Sequence, residues 1–240
     1  MKNLLITGVS GDLGLHTTQT LLSEGHTVFG IYRRHKPELD ILTQQYPKQL
    51  FLRQIDLSRL DHLEEKLSKD FLPPGTALHG LVNNAAWAYT SLIANMCSAD
   101  LQRQFNINTL APILLTKFCI RNMLLHRSRG SIVHISSVCA HTGYKGLAMY
   151  AASKGALEAF SKNTAREWGQ KGIRSNCIVA GFMETAMSSS LNQGQKERIF
   201  RRTSLKQATD VAAVTDSIRF LLLGPDKITG QNLFVDSGTI

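Results

Sequence analysis

Tyr150 and Lys154 stand four residues apart in the run Tyr150-Ala151-Ala152-Ser153-Lys154, a spacing that sets both side chains on one face of a helix. A free phenol has a pKa of about 10 and is a poor base at neutral pH. An ammonium held beside it favours the phenolate and brings proton transfer within reach. Read alone, the pair is also what an ordinary helix surface carries. Thirteen residues earlier, Ser137 offers a hydroxyl able to hydrogen-bond a carbonyl or alcohol oxygen, or simply to cap a turn. Asn108 is a weak helix former in the middle of a helical stretch, which marks either a kink or a ligand for a proton-relaying water.

A second group of residues opens the chain. Thr7-Gly8-Val9-Ser10-Gly11-Asp12-Leu13-Gly14 joins a short apolar run to a helical pattern. Glycines at such a place permit a tight turn, let the backbone approach a pyrophosphate and leave helix N–H groups as donors. Three glycines might form a turn and nothing else, but between an N-terminal strand and a helix they favour a dinucleotide. At the end of the second apolar run stands Tyr32-Arg33-Arg34, where an NAD site usually offers a carboxylate. Guanidinium groups there suit the 2′-phosphate of NADP, the bland alternative being solvated loop charges.

The elements that must position these groups alternate along the chain. Strands are expected at Asn3–Thr7, Thr27–Tyr32, Leu50–Ile55, His79–Asn83, Ser131–Ser136, Arg174–Val179 and Asn232–Val235. Helical patterns cover Leu13–Ser23, Ala99–Leu125, Met149–Gln170 and Asp210–Leu223. This alternation predicts an α/β single-domain Rossmann fold over residues 1–240, a doubly wound seven-stranded parallel sheet with helices on both faces. In such sheets ligands bind beyond the carboxyl ends of the strands. The glycine turn, Arg33, Asp56, Asn83-Asn84-Ala85-Ala86, Ser137 and Gly181 each follow one of the first six strands, and this convergence says more than any one motif.

Bulk properties narrow the classes. Hydrophobic residues make up 43% of 240, ample for one core, and no apolar run approaches the ~18 residues that span a bilayer. The opening Met1–Ile6 stretch is too short for a signal peptide, so a cytoplasmic protein without membrane association is expected. Cys97, Cys119, Cys139 and Cys177 lack metal-ligand or CxxC spacing, which predicts reduced thiols and no metal. A net charge of +9 favours anionic partners, yet no aromatic-basic stripe suggests nucleic acid.

Together these motifs resemble the short-chain dehydrogenase/reductase family over nearly the whole chain. The resemblance implies a proton-transfer group of Asn108, Ser137, Tyr150 and Lys154, with Lys154 also holding the nicotinamide ribose. It implies cofactor contacts from Thr7, Gly8, Ser10, Gly11, Asp12, Leu13 and Gly14, from Arg33 and Arg34, and from Asp56 and Leu57 at the adenine. Asn84, Ala85 and Ala86 would lie behind the nicotinamide, with Gly181, Met183 and Thr185 near its carboxamide. Asp12 departs from the usual glycine, Ala86 likewise, and Ala180 replaces a common proline. Within the family the chain looks most like 3-oxoacyl-[acyl-carrier-protein] reductases. That implies NADPH-dependent reduction of a β-keto thioester on an acidic carrier, docked by Arg127, Arg129 and Lys171. Reduction of a free ketone, sugar or polyol, or a cofactor-sensing scaffold without chemistry, are the alternatives. A lid over Met187–Leu205 and a homotetramer or dimer complete the expectation.

Overall fold

The computed structural model describes residues 1–69, 71–189 and 191–240. Its first half comprises β1 (Asn3–Thr7), α1 (Asp12–Ser23), β2 (Thr27–Tyr32), α2 (Pro37–Gln45), β3 (Leu50–Gln54), α3 (Leu63–Ser68) and β4 (Gly80–Asn83). The second comprises α4 (Ser98–Phe105), α5 (Ala111–Leu125), β5 (Gly130–Ser137), α6 (Ala148–Trp168), β6 (Ile173–Ala180), α7 (Gln193–Arg202), α8 (Val211–Leu223) and β7 (Asn232–Val235). The strands form one sheet in the order β3-β2-β1-β4-β5-β6-β7, every neighbouring pair parallel. The winding therefore reverses between β1 and β4, which opens a crevice above their carboxyl ends.

Alternate strand residues serve opposite faces. Leu4 and Ile6 pack in one buried cluster with Leu21 and Leu22 of α1 and Val214 and Ile218 of α8. Leu5 and Leu81 join the other with Leu115 and Cys119 of α5. Both faces being covered explains why these strands read as continuous apolar runs.

One expectation needs correction. The helical stretch Ala99–Leu125 is not one α-helix: α4 and α5 are joined by a π-helical turn at Asn106–Leu110. Pro112, in the first turn of α5, has no N–H to give to the carbonyl four residues earlier, that of Asn108, so regular α-helical bonding cannot continue through this point. The irregularity that Asn108 marks in the sequence is present as this π-turn.

The face of β5 and β6 toward α6 is polar. His134 is wholly buried, its Nδ1 3.1 Å from Asn83 Nδ2 and its Nε2 3.3 Å from Ser175 Oγ. Burial, assisted by the charge of Lys154, pushes its pKa from 6.5 down to about 3. A histidine held neutral when folded but free to protonate when unfolded contributes stability above pH 6.5 that fades as pH falls toward 3. Chemical denaturation across that range should show the loss, and His134→Asn should flatten the pH dependence within it.

Candidate active site

The crevice is built from the end of β1. Gly8 has φ +73°, and a Cβ there would lie 2.9 Å from Asn84 Nδ2 and 3.0 Å from Ala85 Cα. A Cβ on Gly14 would lie 2.2 Å from the Gly8 carbonyl oxygen, whereas one on Gly11 would meet nothing nearer than 3.4 Å. Gly8 and Gly14 are thus required by the protein's own packing. Gly11 is the N-cap of α1, which has no side-chain cap. The first N–H groups of the helix are left to whatever enters the cleft, an arrangement that fits a pyrophosphate. Thr7 is only 2% exposed; its hydroxyl accepts from the N–H groups of Asn84 and Ala85 at 3.0 and 2.9 Å. It buttresses the turn from beneath and does not line the cleft.

Asp12 does not cap its own helix. Its Oδ2 accepts from the Ala186 N–H at 2.6 Å, across the cleft, and its Oδ1 lies 3.6 Å from Lys36 Nζ. The acid is thereby turned toward the opposite wall and a lysine. At the end of β2, Arg33 is half-buried and Arg34 exposed. Asp56 has its carboxyl held below the usual range: burial, the largest single influence, raises it, but the Ser58 N–H at 2.9 Å, the Ser58 hydroxyl and the charges of Arg33 and Arg103 together outweigh burial.

On the other side of the crevice, α6 carries Tyr150 and Lys154 along one face. Lys154 Nζ lies 5.7 Å from the Tyr150 ring centroid and donates to the Ile135 carbonyl at 2.7 Å. Lys154 is 2% exposed, and burial lowers its pKa from 10.5 to about 8. Burial also raises the Tyr150 pKa, with Cys139 adding to the effect and a hydrogen bond from Ser137 opposing it. Ser137, at the end of β5, accepts from the Cys139 N–H at 3.3 Å. It is both the cap of the following turn and a neighbour of the phenol.

Asn108 is fully buried, with its side chain committed. Oδ1 accepts from Trp87 N–H at 2.9 Å, and Nδ2 donates to the Trp87 carbonyl and to Ser153 Oγ at 2.9 and 3.0 Å. The side chain therefore ties the π-turn to the exit of β4 and to α6. These bonds commit the side chain to structure, while Pro112 has no N–H to offer the main-chain carbonyl of Asn108.

These parts enclose one cleft of about 830 Å³. Every expected site residue lines it except Thr7 and Asn108, which stand behind its wall. Gly181 lines it, but must be glycine for packing: a Cβ would lie 2.3 Å from Thr209 Oγ1 and 2.6 Å from Asp236 Cα. Sequence reasoning missed Lys36, Ile107, Cys139, Tyr144, Lys145 and Phe182, all in the lining. Lys36 was signalled by its place just after Arg33-Arg34 and Phe182 by its place between Gly181 and Met183; the others carry no motif. Within the expected lid, Met187, Leu191, Gln195 and Ile199 line the cleft, and Ser190 lies outside the described residues. Arg129 precedes β5 and Lys171 precedes β6, with Arg129 packed at Gly172. They sit at the amino edge of the sheet, not beside the cleft as expected. Among the described residues no group of His, Cys, Asp or Glu could hold a metal, and no helix is long and apolar enough to cross a membrane.

Comparison with known proteins extends this geometry. A family model described as enoyl-(acyl carrier protein) reductase matches residues 8–239. The chain is 32% identical to 3-oxoacyl-[acyl-carrier-protein] reductase FabG of Chlamydia pneumoniae, covering 99% of this chain and 96% of that protein. It is 29% identical to L-xylulose reductase of Caenorhabditis elegans, covering 99% and 95%. Among solved structures, 4-hydroxyisoleucine dehydrogenase complexed with NADH superposes with TM-score 0.91 at 24% identity, covering 100% and 98% of the two chains. ElxO with NADP bound superposes with TM-score 0.87 at 26% identity, covering 100% and 99%.

The second and third glycines of the turn should separate by substitution. Gly11→Ala should fold with near-native stability and bind nicotinamide dinucleotide at least about tenfold more weakly, since a methyl group intrudes on the ligand's side. Gly14→Ala should lose about 1–3 kcal/mol of stability through overpacking. Urea unfolding and cofactor titration by Trp fluorescence read the two effects.

Proposed function

We infer the reaction from the premise that the chain belongs to the short-chain dehydrogenase/reductase family, whose members are NAD(P)-dependent oxidoreductases: it reduces a ketone to a secondary alcohol. The observation that carries this reading is the meeting of Ser137, Tyr150 and Lys154 in the same cleft as the glycine turn. The bound nicotinamide would supply hydride to the carbonyl carbon. Ser137 donates a hydrogen bond to the carbonyl oxygen and Tyr150 gives that oxygen its proton. The Lys154 ammonium stabilises the phenolate left behind, and its remaining N–H groups suit the ribose hydroxyls. Asn108 contributes through its main-chain carbonyl, which positions a water for reprotonation.

The cofactor in this reading is NADPH. Arg33, Arg34 and Lys36 gather at the end of β2, where a 2′-phosphate would find cations; the acids nearby are Asp12, which lies against Lys36, and Asp56 at the exit of β3. The glycine turn, Asp56, Leu57 and the Asn84–Ala86 segment would hold the rest, with Gly181, Met183 and Thr185 at the nicotinamide end. The substrate is a β-keto thioester on acyl carrier protein. Likeness to the chlamydial reductase supports this, as do Lys145 in the lining and the cations Arg198, Arg201 and Arg202 of α7, a helix whose Gln195 and Ile199 also line the cleft. Carrier docking through these groups replaces docking through Arg127, Arg129 and Lys171. A homotetramer or dimer built on α5 and α6 belongs to the same reading, supported by the exposed Leu110 and Leu125. Likeness to L-xylulose reductase favours a free ketone or sugar as the second reading.

Tyr150→Phe should cut turnover by about 10²–10⁴-fold while NADPH binding survives; retained turnover would sink the assignment. With wild type, NADPH should be preferred over NADH, and Arg33→Ala with Arg34→Ala should abolish the preference. Steady-state comparison of carrier-bound β-keto thioester with its free counterpart and with L-xylulose decides the substrate. Equal kcat/KM for carrier-bound and free thioesters would remove the carrier.

A further inference from the structure

One turn beyond Lys154 on α6 stands Glu158, 6% exposed. Its carboxylate accepts from Ser136 Oγ of β5 and from Asn232 Nδ2 of β7 at 2.6 Å. His141 Nε2 lies 2.9 Å from its Oε2 and 3.1 Å from its Oε1. Three elements thus converge on one buried acid that the proton transfer described above does not use. A carboxylate so buried keeps its charge only with donors and a counter-charge. The donors are these three. For the counter-charge, the four-residue spacing places Lys154 on the same helix face. The two heads form no direct ion pair but reach consecutive residues of β5, Lys154 the carbonyl of Ile135 and Glu158 the hydroxyl of Ser136. The Glu158 charge acts on Lys154 to favour its ammonium against burial.

We propose that Glu158 is a positioning residue for the reaction: the buried anion, fixed by Ser136, His141 and Asn232, is the partner that keeps buried Lys154 charged beneath Tyr150. This rests on the proton-transfer reading of Tyr150 and Lys154. The other groups around the pair do not compete for the role. Lys154 is faced by Tyr150 on its own helix, His134 of β5, Cys139 beyond β5 and Cys177 of β6. Burial holds His134 neutral, and it pushes the thiols of Cys139 and Cys177 upward, Cys177 to about 12, so neither is an anion at neutral pH. Glu158 is faced by His141, whose side chain is 28% exposed and charged only when protonated. Lys162, one turn further along α6, is exposed and screened by solvent. Without the Glu158 charge, Lys154 would keep its hydrogen bond to the neutral Ile135 carbonyl and its place over the Tyr150 ring, and burial would favour its amine form.

The test follows the lysine directly. In protein labelled with ¹³C at lysine Cε, the resonance absent from Lys154→Met identifies Lys154. Glu158→Gln, which keeps the shape, should lower its titration midpoint by about one pH unit or more. Glu158→Asp, which keeps the charge, should leave it within a few tenths of wild type. The alkaline limb of NADPH-dependent ketone reduction should move with the midpoint. Turnover of Glu158→Gln should then be near wild type at about pH 6 and about tenfold lower at about pH 8.5. A purely structural role predicts equal loss at every pH. Should Glu158→Gln not fold, coupling is reciprocal: Lys154→Met should raise the titration of the Glu158 ¹³Cδ carboxyl by the same amount. An unmoved midpoint, or a uniform loss of turnover, overturns the pairing. A wild-type chain that reduces no ketone, with the Lys154 midpoint still shifted by Glu158→Gln, overturns the reaction and not the pairing.

Discussion

Where β1 and β4 lie side by side, the two halves of the sheet wind away from each other, and a small knot of hydrogen bonds holds their exits together. The Thr7 hydroxyl accepts two successive N–H groups of the chain leaving β4, while the Asn84 amide holds the carbonyls of Thr7 and Gly8 at 2.9 and 3.3 Å. The cleft is assembled on this knot. It fixes Gly8 in a left-handed conformation that only a residue without Cβ adopts cheaply at this spacing. Gly8 in turn sets the floor on which Gly14 rests, and so the direction in which α1 aims its first N–H groups. The same knot delivers Ala85 and Ala86 to the opposite wall. A fold with a reversal in winding must have a gap here; this one makes the gap rigid.

The far wall is organised by charge removed from water. Parallel sheets are commonly covered by apolar helix faces, but between α6 and β5–β6 the contact is made by Lys154, Glu158 and Ser161 against Ser136, His134 and Ser175. The hydroxyls of Ser161 and Ser175 meet at 2.9 Å. Buried polar networks tolerate few alternative arrangements, because each displaced group loses a partner it cannot replace with solvent. The phenol, the ammonium and the serine hydroxyl are therefore held by a contact that resists slippage, while the cofactor side relies on backbone geometry.

Much of this was legible in the sequence. Strand positions were, because burial on both faces leaves short uniform apolar runs such as Leu4-Leu5-Ile6 that only a two-sided sheet explains. The site edge was, because site-type residues followed six strands in turn. What was not legible depended on partners distant in sequence. The side chain of Asn108 looked free for chemistry until Trp87 and Ser153 were seen to occupy it. Asp12 stood out only as an acid in place of a glycine, and its acceptor role faces Ala186, 174 residues away. Arg129 and Lys171 seemed to flank the site because they adjoin its strand and helix, but adjacency in sequence does not reveal which end of a strand a residue occupies in relation to the cleft. Glu158 gave no signal at all, since its three partners lie on β5, on the turn that follows it and on β7.

The π-turn at Asn106–Leu110 has a consequence for register that reaches beyond the kink. A π-turn holds one residue more than an α-turn over the same span, and each α-helical residue advances the side-chain direction by about 100°. The inserted residue therefore resets the phase between α4 and α5. Leu115, Cys119 and Met123 face the sheet because of an offset introduced upstream of them. A chain one residue shorter here would be the more regular helix and would carry its apolar stripe about a quarter-turn out of alignment with the strands. The irregular segment acts as the phase correction between a helix that reaches toward the cleft and a helix that covers the sheet, and length at this point is as constrained as residue type.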